Sequence, residues 1–263
     1  MGHAIGDDMA PAASRRLEHG RFTRVLSSGR GKIGRGHVPQ ISEGFSGQKV
    51  SWFYTMLRGR ITMTVLRQLE SSLDTYLEEN PYVDYSDASI RELSATLSAD
   101  ATDLLAYMQR AFEYVRDEVP HSWDIQSRRV TVTATECLRY RTGICYAKSN
   151  LLAALLRVRH IPTGFCYQRL MLGTTPGSGY CIHALNAIHW KDAWHRLDAR
   201  GNKPGVDARF DLDVERLAFP VHPEQDEIDY PEIYAQPLSV CMSTLENSVD
   251  AIDMYLHHLP ERL

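Results

Sequence analysis

Residues 145–198 constrain the fold most strongly, because a helical run leads into strands joined by a turn of only two residues. In "CYAKSNLLAALLRVRH" the residues Ala147, Leu151, Leu152, Ala154, Leu155 and Val158 recur at three- and four-residue intervals. That spacing gathers apolar side chains on one face of an α-helix. After His160 the period becomes two. "IPTGFCYQRLML" and "YCIHALNAIHW" read as strands separated by the turn-rich "GTTPGSG", and "AWHRLDA" reads as a third. With Lys191-Asp192 at the tip of a tight hairpin, Trp190 faces Ala193 and Leu185 faces Asp198. Asp198 is then diagonal to His183 on the same face, roughly 7–8 Å away and within side-chain reach. His189 shares that face but lies four residues beyond Leu185 towards the turn, roughly 13 Å along the strand. His195 points to the opposite face from Asp198, since strand side chains alternate.

The start of the helix carries a chemical possibility. Thr142 and Gly143 can serve as its N-cap and the turn into it, which puts Cys145 in the first turn. Unpaired N–H groups and the positive end of the helix dipole stabilise a thiolate at such a position. Cys145 therefore reads as a nucleophile or, as a lone cysteine more commonly does, as a small buried hydrophobe. A thiol nucleophile needs a base and a group that orients the base. The hairpin register offers His183 and Asp198 for these roles, with Asn186 and Asn202 as alternative orienting groups. Cys181-x-His183 together with Cys145 lacks a fourth ligand at a recognisable metal-site spacing, so neither a metal nor a cofactor is expected.

The remainder of the chain divides in two. Residues 1–62 hold 10 of the 17 glycines and a net charge of +6, against about −10 for residues 63–263. Segments such as "SSGRGKIGRGHVPQISEGFSGQK" have no period that could bury a face, so residues 1–62 are expected to be a disordered basic arm. Met56 or Met63 could be the biological start. Order is expected from residue 63: a helix over "VLRQLESSLDTYLEE", two more in "SDASIRELSATLS" and "DATDLLAYMQRAFEYVRDEV", a short turn before Cys145, and a closing helix in "VCMSTLENSVDAIDMYLHHL". Helices followed by consecutive antiparallel strands give an α+β domain. The net charge of −4 over 263 residues gives no reason to expect nucleic acid as a partner. No apolar run reaches the roughly 20 residues needed to span a bilayer. The odd number of cysteines (137, 145, 166, 181, 241) excludes a complete disulfide framework, and a cytoplasmic location is expected.

"GICYAKSNLLAALLRVRHIPTGF" followed by "HALNAIHWKDAWHRLDARGN" resembles the core of the transglutaminase-like superfamily, whose fold is related to papain. The shared pattern is a Gly-x-Cys opening a helix, an Ile-Pro strand entry, a histidine opening a strand and a Trp-x-x-Leu-Asp on the next. These fall on Cys145, Ile161-Pro162, His183 and Trp194 to Asp198. The surrounding layout extends the resemblance, with bacterial members, to roughly residues 70–260. It implies a papain-like core in which the cysteine helix packs on an antiparallel sheet, with helices N-terminal to it. It also implies a catalytic triad of Cys145, His183 and Asp198. The implied activity is acyl transfer through a thioester on peptide or glutamine amides, ending in hydrolysis or transamidation. A catalytically silent peptide-binding module on the same fold is the alternative. Tyr146, where a polar residue or histidine is frequent, and His189, at a position more often aromatic or aliphatic, depart from the pattern. The calcium dependence of some animal relatives finds no carboxylate cluster here. The oligomeric state is open.

Overall fold

A computed structural model of the chain describes residues 50–57, 60–173 and 175–263, with the backbone alone for 50–64 and Pro176. Strand β1 (Val50–Leu57) pairs antiparallel with β2 (Arg60–Gln68), from Val50 opposite Arg67 to Leu57 opposite Arg60. The boundary expected at residue 63 falls inside β2, while residues 1–49 of the expected arm lie outside the described residues. The helix expected over residues 65–79 does not form. Its first four residues belong to β2, and only Asp74–Leu77 make a short 3-10 turn. Long-range contacts decide this. The Tyr76 hydroxyl donates to Ile233 O at 2.9 Å and accepts from Leu69 N and Glu70 N at 3.2 Å, and its ring packs on Trp194 at 4.8 Å.

Three helices follow, each started by a side-chain cap that satisfies a free N–H of the first turn. Asp87 caps α1 (Ala88–Ala99), Asp103 caps α2 (Leu104–Glu113), and Thr133 caps α3 (Ala134–Tyr140). A π-helical turn over Tyr114–Glu118 extends α2. Helix α4 (Cys145–Arg157) packs against all three and against the sheet, and all thirteen of its residues are buried. Each leucine so buried contributes about 1.5–3 kcal/mol relative to exposure.

Several polar groups of the buried α4 find partners outside the helix. Tyr107 Oη donates to Leu155 O at 2.6 Å, and Asn150 Nδ2 to Val132 O at 2.9 Å. At its C-terminus, where a cation meets the negative end of the helix dipole, the Arg157 guanidinium donates to Thr163 O, Glu78 O and Ala235 O. Lys148 donates to Val119 O and to Arg116 O at the end of the π-helical turn, and burial lowers its pKa to about 8.

Strands β3 (Thr163–Met171), β4 (Tyr180–Trp190), β5 (Ala193–Leu197) and the short β6 (Ile228–Asp229) form one antiparallel sheet in the order β5-β4-β3-β6. The β4–β5 register runs from Trp190 opposite Ala193 to Asn186 opposite Leu197, as the two-residue turn requires. Lys191 and Asp192 have φ of 49° and 66°, the two left-handed positions of a type I′ turn. One face of this sheet places Phe165, Tyr167, Ile182, Ala184 and Ile188 in the core with α4. The opposite face buries Cys166, Leu185, Ala187 and Trp194 with Leu66, Tyr76 and Ile233. Strand β7 (Glu232–Ile233) adds in parallel to β2, completing a smaller sheet β1-β2-β7.

The closing helix is two helices, α5 (Ser239–Glu246) and α6 (Ala251–His257). Asp250 separates them by accepting from Ile252 N and Asp253 N, which starts α6 afresh. The architecture is α+β, with N-terminal helices and a cysteine-bearing central helix on an antiparallel sheet. Among the described residues, no helix is long and apolar enough to cross a membrane.

Candidate active site

Cys145 is the first residue of α4. The cap is Ile144, which is extended and offers no side-chain acceptor. Thr142, the expected cap, instead has its hydroxyl 3.1 Å from Ser122 Oγ. The first-turn N–H groups are beyond the reach of intrahelical acceptors, so the start of α4 is a set of donors and the positive end of a dipole.

His183 lies near the start of β4 and Asp198 one residue past β5, both almost fully buried. Nε2 of His183 is 2.9 Å from Asp198 Oδ2. The carboxylate is held from two further sides, with Oδ2 accepting from Ala218 N at 3.0 Å and Oδ1 from Arg200 N at 3.1 Å. The Phe219 ring meets the imidazole edge-on at 5.3 Å. Burial alone would lower the His183 pKa. The charges of Asp198 and Cys145, and hydrogen bonds to both, outweigh it and raise the pKa to about 10. Burial would likewise raise the Asp198 pKa, but His183 and the N–H groups of Ala218 and Arg200 hold it below the usual carboxylate value. With Nε2 on Asp198, Nδ1 is the ring nitrogen left for Cys145.

Cys145 and His183 line one cavity of about 550 Å³. Its walls include residues that sequence periodicity did not single out. His121 and Trp123 belong to a loop segment pinned to the α4 entrance: His121 bridges Gly143, and Ser122 N donates to Gly143 O at 3.1 Å. Trp123 stacks on Tyr255 of α6 at 4.3 Å. Arg200 and Lys203 also line the cavity, both ion-paired with Asp124. Burial would raise the Asp124 pKa, but hydrogen bonds from the two cations take it down to about 2. Gly201, at φ +117°, lets the chain pass beneath this cluster, where a Cβ would come within 3.3 Å of Arg116 O. None of this wall could be found from local pattern, because its members come together from four distant segments.

The alternative orienting groups lie elsewhere. Asn186 Nδ2 donates to Ser149 O and Gly164 O at 3.2 and 3.3 Å. Asn202 closes a loop on Ala208, donating to its carbonyl and accepting from its N–H. His189 packs edge-on against Trp194, and the His195 ring lies against Leu212 O and Trp190 O. Cys181 lines the same cavity as Cys145. Among the described residues, no three His, Cys, Asp or Glu side chains are grouped as a metal site.

Residues 91–199 match the family model of the transglutaminase-like superfamily. This stretch is similar to the transglutaminase-like core. It contains most of α1, all of α2 to α4 and β3 to β5, and with them Cys145, His183 and Asp198. None of the curated proteins matches the chain. Among solved structures it is similar to a candidate cysteine protease from Cytophaga hutchinsonii, at 17% identity over 50% of this chain and 43% of that one, with a TM-score of 0.42. It is also similar to red sea bream transglutaminase, at 10% identity over 59% of this chain and 30% of that one, with a TM-score of 0.31. The chain thus spans less than half the length of either.

Proposed function

We propose that this protein is a cysteine-dependent acyl-transfer enzyme acting on amide bonds of protein or peptide substrates, including glutamine side chains. The observation that carries the proposal is the buried His183–Asp198 pair at 2.9 Å, whose remaining ring nitrogen is left for Cys145 at the head of α4. A histidine used only for packing has no need of a fully buried carboxylate partner and a cysteine contact together.

In the proposed cycle the Cys145 thiolate adds to the amide carbon, and the carbonyl π electrons move to oxygen. The His183 imidazolium then gives its proton to the nitrogen as the C–N bond breaks, leaving a thioester on Cys145. Asp198 holds the imidazole tautomer and stabilises its cationic form. Water or an amine next adds to the thioester, losing its proton to His183, and the thiolate returns. Water makes the enzyme a hydrolase, and a lysine amine makes it a transglutaminase. The five free thiols support a reducing compartment.

The test follows iodoacetamide labelling of each cysteine by peptide mass spectrometry, in wild type and in His183→Ala. The proposal expects Cys145 to label fastest and to lose that advantage in the variant. If Cys145 labels slowly and is indifferent to His183, the silent peptide-binding module replaces the enzyme.

A further inference from the structure

The proposed chemistry needs two donors for the oxygen that becomes negative when Cys145 attacks, and the first turn of α4 supplies one through the Cys145 N–H. His121 meets the requirements for the other. His121 lines the cavity that Cys145 and His183 line. Its backbone is tied to the α4 entrance by the bridge to Gly143, two residues before the nucleophile, and by Ser122 N donating to Gly143 O at 3.1 Å. The ring stands edge-on to Tyr255 at 6.1 Å, so the imidazole has a fixed wall behind it.

The hydrogen bonding of the ring fixes its donor. Trp123 N donates to His121 Nδ1 at 3.3 Å. A neutral imidazole that accepts at one nitrogen carries its proton on the other, so Nε2–H is the group left for a ligand in the cavity. Burial first, and then the positive charge of Arg200, push the His121 pKa well below its ordinary value, with Lys148 and His183 adding to the effect and Asp124 opposing it. His121 is thus held as a neutral donor in the same cavity in which His183 is held as a cation. Paired titratable groups driven apart in this way mark a division of labour in an active site.

We propose that His121 is the second oxyanion donor, its Nε2–H binding the carbonyl oxygen as Cys145 adds to the carbon. The role rests on the acyl-transfer function proposed above. It also assigns the segment after Pro120 a catalytic duty separate from the triad.

The experiment compares two reactions of Cys145. p-Nitrophenyl acetate acylates the thiol through a tetrahedral oxyanion and releases p-nitrophenolate, whereas iodoacetamide alkylates it by displacement at a saturated carbon with no oxyanion. Both rates are measured in wild type, His121→Phe and His121→Gln, the last of which restores an N–H donor. The expected result is a fall of about 10²–10³-fold in the acylation rate of His121→Phe, with alkylation unchanged and acylation largely recovered in His121→Gln. Acylation unchanged in His121→Phe would overturn the assignment. So would acylation and alkylation falling together in both variants, because His121 would then act on the thiol or on the fold. Wild-type Cys145 that alkylates rapidly but is never acylated would overturn the acyl-transfer function itself, and this role with it.

Discussion

Two buried ionic networks lie two residues apart along the same strand edge, and they differ in one respect. The Arg196 guanidinium makes four hydrogen bonds to carboxylate, at 2.7 and 2.8 Å to Glu215 and at 2.6 and 3.0 Å to Asp229. Burial opposes the Arg196 charge, but the two carboxylates outweigh it and raise its pKa. The Asp198–His183 pair is as deeply buried, yet one nitrogen of its imidazole remains for the Cys145 cavity. A network closed on itself orders the β4–β5 edge. A network with a donor left over can move a proton. Burial and charge alone do not separate the two cases; the direction of the last hydrogen bond does.

The largest effect that sharpens this contrast is expected from Asp198→Asn. It should keep the shape of the site but favour the wrong imidazole tautomer, slowing acylation by about 10⁴-fold as measured by p-nitrophenolate release. Arg196→Met should act the other way round. It leaves buried Glu215 and half-buried Asp229 around an apolar side chain, costing about 3 kcal/mol of stability in urea unfolding, while the acylation rate of the folded fraction stays at the wild-type value. A drop in that rate comparable with Asp198→Asn would merge the two networks into one.

The smallest effect concerns pH. His183 is raised to about 10 and Asp198 is lowered, so their pairing stabilises the fold fully between the unfolded-state values, about 3.9 for Asp and about 6.5 for His. Above pH 6.5 the contribution declines as the folded imidazolium approaches its own pKa, and it is gone beyond pH 10. Below about 3.9 it declines as Asp198 is protonated. The difference in unfolding free energy between wild type and Asp198→Asn should therefore shrink from pH 6.5 to 10. The difference for Arg196→Met should hold across that range, since a guanidinium keeps its charge.

What could be read from the residues follows from how local each feature is. The His183–Asp198 contact was legible because a two-residue turn leaves the β4–β5 pairing no freedom, and strand alternation then excludes His195. Helix α4 was legible from its apolar spacing, though its cap moved from Thr142 to Ile144 because Thr142 is engaged by Ser122 across the chain. The helical pattern of residues 65–79 misled, since pairing of β2 with β1 and with β7, over 160 residues away, overrides local propensity. The break between α5 and α6 carried a local signal, the capping Asp250, hidden by continuous apolar spacing on both sides. His121 carried none, because its partner Gly143 lies 22 residues further along the chain.

The tight Lys191-Asp192 turn also has a consequence for the order of assembly. His183 and Asp198 are only 15 residues apart, on two strands that a hairpin can bring together before any distant segment has docked. Cys145 is 38 residues from His183 and reaches it only when α4 is seated on the sheet. Short loops close at lower entropic cost and sooner than long ones. Under the proposed function, the emerging chain would bring the proposed base and its carboxylate together early and seat the thiol beside them last. A partly folded molecule, with its surfaces open to other proteins, would then not yet hold Cys145 beside the base proposed for it.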